Sequence, residues 1–236
     1  VRALILSVNS PGGSVAGGER LHAALAAFAA HKPVVTVMHG LAASAGYMIA
    51  MPSDRIFASP ATLTGSIGVL LQSAEMGGLL GKLGIGAETI VSGPLKDQPS
   101  LTHPLSPEGR TVLTGLVMDL YDQFVGMVAA GRHMDPARVR ELADGRAYTG
   151  RQALSLGLID QIGGEAEARA WLATEKHVAA GLPVRDLRHE SFQERLARGV
   201  SGLFAGLVRG AVGGMVGGAA APAGAQLDGA MALWQP

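Results

Sequence analysis

Two short segments carry residue types that could do chemistry on a carbonyl group. In Gly40-Leu41-Ala42-Ala43-Ser44-Ala45-Gly46-Tyr47, a serine stands among Ala and Gly where a helix is expected to begin. The free N–H groups and partial positive charge of a helix start would let Ser44 attack a carbonyl and would hold the resulting oxyanion. The same position suits a serine that simply caps the helix, and the local sequence leaves both roles open. In Asn9-Ser10-Pro11-Gly12-Gly13-Ser14, paired glycines let the backbone approach a ligand and aim N–H groups at it. Read alone, Pro-Gly-Gly is equally an ordinary turn.

A serine nucleophile needs a base. Of the seven histidines (His22, His31, His39, His103, His133, His177 and His189), none stands in an evident strand-end motif. His39 is nearest to Ser44 in sequence and has no evident acidic partner to orient it. The other candidate is Lys96 in Ser92-Gly93-Pro94-Leu95-Lys96-Asp97, after the apolar run ending at Val91. A lysine serves as base only where its surroundings favour the neutral amine, as burial does. The alternative is a solvated loop lysine.

These residues must be held by the elements around them. Ala3–Val8 is a short apolar run ending in a Pro/Gly turn, and it predicts a buried strand. Ser14 is placed to cap a helix to about Ala30, which Lys32-Pro33 would end. Pro33–Met38 is rich in β-branched residues and predicts a second strand, with a helix from the small residues at 42–46 to about Met51. Further strands are expected at Arg55–Ala58, Ile67–Leu71 and, after a short helix, Glu88–Val91. A long helix is expected over Pro107–Gly131 and another after Pro136. Alternating strands and helices predict a layered α/β fold with a mainly parallel sheet flanked by helices. Sites in such sheets lie beyond the carboxyl ends of the strands, where both chemical segments fall.

Composition bounds the rest. The 236 residues are 48% hydrophobic and 16% charged, with net charge zero and mean hydropathy +0.28. With no basic cluster to neutralise phosphates, nucleic acid is not an expected partner. Cys is absent, which removes disulfides, thiolate catalysis and Cys-ligated metals. No run of 18 or more uncharged, strongly apolar residues predicts a membrane span, and no signal peptide is visible. The sequence starts abruptly at Val1 in what reads as a strand, so an upstream part is expected to be missing. Near residue 177 the composition shifts, and 195–225 is rich in Gly, Ala and small apolar residues. The expected division is a domain over 1–176 and a Gly/Ala-rich extension over 177–236, either low-complexity sequence or a contact region for a partner or membrane surface.

Together the segments NSPGGSV (9–15), KPVVTVM (32–38), AASAGYMIA (42–50), Asp54-Arg55-Ile56, TLTGSIGVL (62–70), SGPLKD (92–97) and DGRAYTGRQALSLGLID (144–160) resemble the signal peptide peptidase A family of Ser/Lys proteases. The order and spacing match over about residues 1–175. The resemblance implies Ser44 as nucleophile, Lys96 as general base, and the N–H groups of Gly13 and Ser44 as the oxyanion hole. Ser66, in TGSIG, is similar to a hydroxyl that orients the lysine. No metal or organic cofactor is implied. The substrates implied are hydrophobic peptides, notably cleaved signal peptides. A homo-oligomeric bowl and association with the bacterial inner membrane are also implied. Ala45 and Met48 depart from the Gly and Tyr usual after the serine.

The wider fold resembles the ClpP/crotonase superfamily. A ClpP-type protease would need a histidine about 25 residues after the serine, where Val69 stands instead. A crotonase-like acyl-CoA enzyme would use the oxyanion hole without a serine nucleophile. An inactive relative serving capsid or membrane assembly would be marked by loss of Ser44 or Lys96, and both are present.

Overall fold

A computed structural model describes residues 1–186 of the chain. Within them lie six strands and seven helices: β1 (Leu4–Ser10), α1 (Val15–Ala29), β2 (Val34–Ala43), α2 (Ala45–Met48), β3 (Arg55–Ala58), β4 (Leu63–Gly65), α3 (Gly77–Lys82), α4 (Pro107–Arg132), α5 (Pro136–Leu142), β5 (Ala147–Thr149), α6 (Gly150–Ser155), β6 (Gln161–Ile162) and α7 (Glu165–Glu175). The strands form one sheet in which β1–β2, β2–β3, β2–β4 and β3–β6 pair in parallel and β4–β5 antiparallel. The expected layered α/β fold with a mainly parallel sheet is the one observed.

β2 is the axis of this sheet. Its residues 34–38 are bonded to β1 on one edge, and 35–38 to β3 on the other. Farther along, Leu41–Ala43 pair with Leu63–Gly65 of β4, while Ser10 of β1 meets Ala42. The strand thus hands one edge from β3 to β4 just before Ser44. Val34, Val35, Val37, Met38 and Ala42 are fully enclosed. Such a run, apolar on both faces, is the pattern of a central parallel strand.

Helices cover both faces. On one, Met38, Tyr47, Met48 and Ile56 pack with Phe124, Val125 and Val128 of α4 and with Leu158 and Ile159. On the other, Val35, Val37 and Phe57 pack against Ala168 and Leu172 of α7. The caps follow sequence rules. Ser14 accepts from the Gly17 N–H, Ser106 from the Gly109 N–H, and Asp135 from the Ala137 N–H, with Pro107 and Pro136 in the first turns.

Three sequence expectations need correction. β2 runs to Ala43, so the helix expected to reach Met51 shrinks to the single turn Ala45–Met48. Ile67–Leu71 and Glu88–Val91 are not strands. Leu70 is 81% and Ile90 94% exposed, and no neighbouring strand lends either run its hydrogen bonds. Separately, α4 is long and apolar enough to cross a membrane, with mean hydropathy 1.3 over 18 residues, although it carries Asp119 and Asp122 and is thus not an uncharged run. Its C-terminal half nevertheless packs in the core through Phe124, Val125 and Val128.

The compact unit extends over Val1–Leu182. After α7 the chain folds back, with the Val178 N–H on the Leu172 carbonyl and Arg169 donating to the carbonyls of Ala180 and Leu182. The expected extension lies, from residue 187 onward, outside the described residues.

Candidate active site

Ser44 is the single residue between the end of β2 and the start of α2. A strand cannot run straight into a helix, and the turn is made at the serine itself, at φ 53° and ψ −123°. A non-glycine residue at positive φ is strained by roughly 1–3 kcal/mol and persists only where its surroundings over-determine it. Here they do. The Ser44 N–H donates to the Gly65 carbonyl at 2.9 Å, and the Ser44 carbonyl accepts from the Tyr47 and Met48 N–H groups at 2.8 and 2.9 Å. The hydroxyl does not cap the helix. The cap role left open by the sequence is therefore not the one adopted, and the half-buried Ser44 Oγ is not engaged by a backbone donor.

The Pro-Gly-Gly turn meets this serine although it lies far away in sequence. A Cβ on Gly12 (φ 124°) would stand 2.9 Å from Ser44 Cβ and 3.3 Å from Ser44 Oγ. Only glycine permits that approach and that backbone angle. Gly46, in the first turn of α2, closes the other side, since a Cβ there would stand 2.9 Å from the Ser10 carbonyl oxygen. Gly13 is exposed, with open space where a side chain would project. Its N–H and that of Ala45 have no acceptor among the described residues. The Ser44 N–H, the other oxyanion donor expected from the sequence, is the one bonded to Gly65.

Deeper contacts hold the cradle. Tyr47 is fully buried, and its hydroxyl donates to the Leu158 carbonyl at 2.7 Å. Burial pushes the Tyr47 phenol well above its usual range. Asp160 accepts from the Ile56 N–H at 2.7 Å and from both terminal nitrogens of Arg132, at 2.6 and 3.0 Å. The segment 158–160 thereby ties α2, β3 and α4 together.

Ser66 follows the carbonyl that binds Ser44. At φ 49° it is also strained, with its N–H on the Arg146 carbonyl and its hydroxyl donating to the Gly145 carbonyl at 3.3 Å. A hydroxyl that donates once can still accept. Lys96 lies in a turn closed by its own N–H on the Gly93 carbonyl. It is exposed and forms no hydrogen bond with Ser44 or Ser66 among the described residues. His39 turns to Ser7 Oγ at 2.7 Å. Of the other histidines, His103 pairs with Asp97 at 2.8 Å. No group of three or more His, Cys, Asp or Glu capable of holding a metal occurs among the described residues.

The structure therefore brings Gly12-Gly13, Ser44 and Gly65-Ser66 together, and leaves Lys96 on a separate loop. Sequence reasoning missed the Gly65 carbonyl, Tyr47 and the Asp97–His103 pair. The first two act across the chain and leave no local signal.

Comparison with known proteins decides the family. The model of peptidase family S49 matches residues 26–179. The chain belongs to peptidase family S49. It is 45% identical over 177 residues to a candidate signal peptide peptidase SppA of Enterococcus faecium, covering 75% of this chain and 52% of that one. A candidate protease of Synechocystis is 43% identical over 172 residues, covering 73% of this chain and 62% of that one. Protease 4 of Salmonella typhi is 42% identical over 164 residues, covering 69% and 26%. The chain thus spans about half to two thirds of the length of the first two and a smaller share of the third. Among solved structures, a ClpP1 variant from Listeria monocytogenes aligns with a TM-score of 0.45 at 15% identity, covering 71% of this chain and 77% of that one.

Proposed function

We propose that this S49 chain is the catalytic unit of a serine endopeptidase that hydrolyses hydrophobic peptides, such as cleaved signal peptides, with Ser44 as nucleophile and Lys96 as general base. The observation that carries this reading is the strained Ser44, fixed by the Gly65 carbonyl, facing Gly12, with its hydroxyl not used as a cap. Neutral Lys96 takes the Ser44 proton as Oγ attacks the scissile carbonyl. The oxyanion is received by the Gly13 N–H and, because the Ser44 N–H is bonded to Gly65, by the Ala45 N–H beside it. Protonated Lys96 gives its proton to the leaving amine. Water, deprotonated by Lys96, then releases the acyl group from Ser44. Once the loop brings Lys96 to the site, Ser66 accepts from Lys96 and holds it in line.

Lys96 must be shielded from water to stay neutral. In the single chain it is exposed, so the shielding comes from bound substrate or a neighbouring copy. Leu70, Leu79, Leu83, Ile85, Ile90 and Leu101 are all more than half exposed, which supports burial in a homo-oligomer. Association with the bacterial inner membrane belongs to the same reading.

The test is turnover of apolar peptides by the purified protein. Ser44→Ala and Lys96→Ala should each lower kcat by about 10³-fold or more with the circular dichroism unchanged. A fluorophosphonate should label Ser44. The rate should rise with pH as Lys96 loses its proton. Full activity of either variant overturns the dyad.

A further inference from the structure

Lys96 is followed directly by a carboxylate. An anion beside an ammonium group favours the charged form, the opposite of what a base requires. Asp97 could be that anion, yet its carboxylate is engaged by another partner: its Oδ2 lies 2.8 Å from His103 Nε2. No ion pair joins Asp97 and Lys96 among the described residues.

The loop between them is built to hold this arrangement. The Gln98 side-chain oxygen accepts from the Ser106 N–H at 3.1 Å, anchoring the loop to the start of α4. The Met76 N–H donates to the Leu101 carbonyl at 2.8 Å, anchoring it to the start of α3. Ser100 and Thr102 are hydrogen-bonded to each other, at 3.2 Å between hydroxyls. The hydrogen-bonded Asp97 and His103 then form part of the wall of a cavity that Thr89 and Val91 also line. Their side chains are 26% and 45% exposed, so the pair is partly withdrawn from water. The other charged groups on the neighbouring elements are Glu75 ahead of α3 and Lys82 at its end, Glu88 after α3, Glu108 and Arg110 in the first turns of α4, and Asp119, Asp122 and Arg132 farther along it. None is ion-paired with Lys96, Asp97 or His103.

We propose that His103 is a positioning residue that holds the Asp97 carboxylate away from Lys96, leaving the lysine without a counter-ion and able to give up its proton. The proposal rests on the reading of Lys96 as base. Loss of His103 frees Asp97 to pair with Lys96, and the amine is held charged to higher pH. The loss is one of proton affinity, so it falls on kcat and on the pH profile rather than on substrate binding.

The experiment measures kcat and KM on an apolar peptide from about pH 6 to pH 10 for the full chain and for His103→Ala, Asp97→Asn, the double variant and His103→Lys. In His103→Ala the midpoint of the rising limb should move up by about one pH unit. At neutral pH that is about a tenfold loss of kcat, with KM within about twofold. Asp97→Asn should keep the wild-type midpoint. The double variant should recover it, because the carboxylate is gone. His103→Lys, which keeps an N–H donor within reach of Asp97, should match wild type, and it also serves if His103→Ala fails to fold. An unmoved midpoint in His103→Ala, a double variant still shifted, or a shifted His103→Lys overturns the proposal. Lys96→Ala separates this from the reading beneath it. If that variant stays active, the base assignment fails. If it is dead and His103→Ala is normal, only the role of His103 fails.

Discussion

The cradle of Ser44 and the loop of Lys96 are built in opposite ways. Around Ser44 the backbone belongs to the sheet, Ala42, Ala43, Ala45 and Tyr47 are buried, and Gly12 leaves no room for another atom. Between residues 68 and 106 no strand forms, most of the large apolar side chains face outward, and a few side-chain hydrogen bonds fix the path. Ser44 is positioned by packing that the whole fold must satisfy. Lys96 is positioned by local bonds that can change without unfolding anything. A change in the cradle should therefore alter stability and activity together, and a change in the loop activity alone.

The sharpest way to break that contrast uses α4, whose two halves belong to the two regimes. Phe124→Ala, in the enclosed half, should cost about 3–5 kcal/mol in chemical denaturation. Leu116→Ala, on the half-helix where Leu116 is 56% exposed, should cost less than about 0.5 kcal/mol. Equal losses would show that the exposed half is packed in solution. Gly12→Ala comes next. Its Cβ must displace Ser44, so about a 10²-fold loss of kcat should accompany about 1–3 kcal/mol of destabilisation. Gln98→Ala releases the loop from α4 and should lower kcat by about tenfold with the melting temperature little changed. A large fall in melting temperature would place the loop with the core.

The smallest effect concerns His22 on α1. Burial lowers its proton affinity, with Glu19 opposing. A group with a depressed folded pKa contributes stability at pH above its unfolded value, about 6.5, and loses it as pH falls through the folded one. Stability should decline slightly from about pH 7 to pH 5, and His22→Gln should remove that part of the decline in urea titrations.

Legibility in the sequence followed the same boundary. β1, α1, β2 and α4 could be read because their apolar runs end at Ser14, Pro33 and Pro107, which act locally. The runs at 67–71 and 88–91 have strand composition but no partner, and a strand exists only by pairing. Of the cradle, Ser44 and the glycine turn could be singled out from their own neighbours, which left their roles open. The Gly65 carbonyl could not, because any residue supplies one. Likewise Asp97 and His103 meet through a loop path that no periodicity announces.

Tyr47 bonds to Leu158, and β3 bonds to Asp160 and β6. These partners are translated more than a hundred residues after Tyr47 and Ile56, to which they bond. Ser44 therefore leaves the ribosome well before these partners, and its scaffold closes only when residues 158–162 arrive. A nascent chain stopped short of them presents the serine without its full scaffold, so the order of synthesis itself delays completion of the Ser44 cradle.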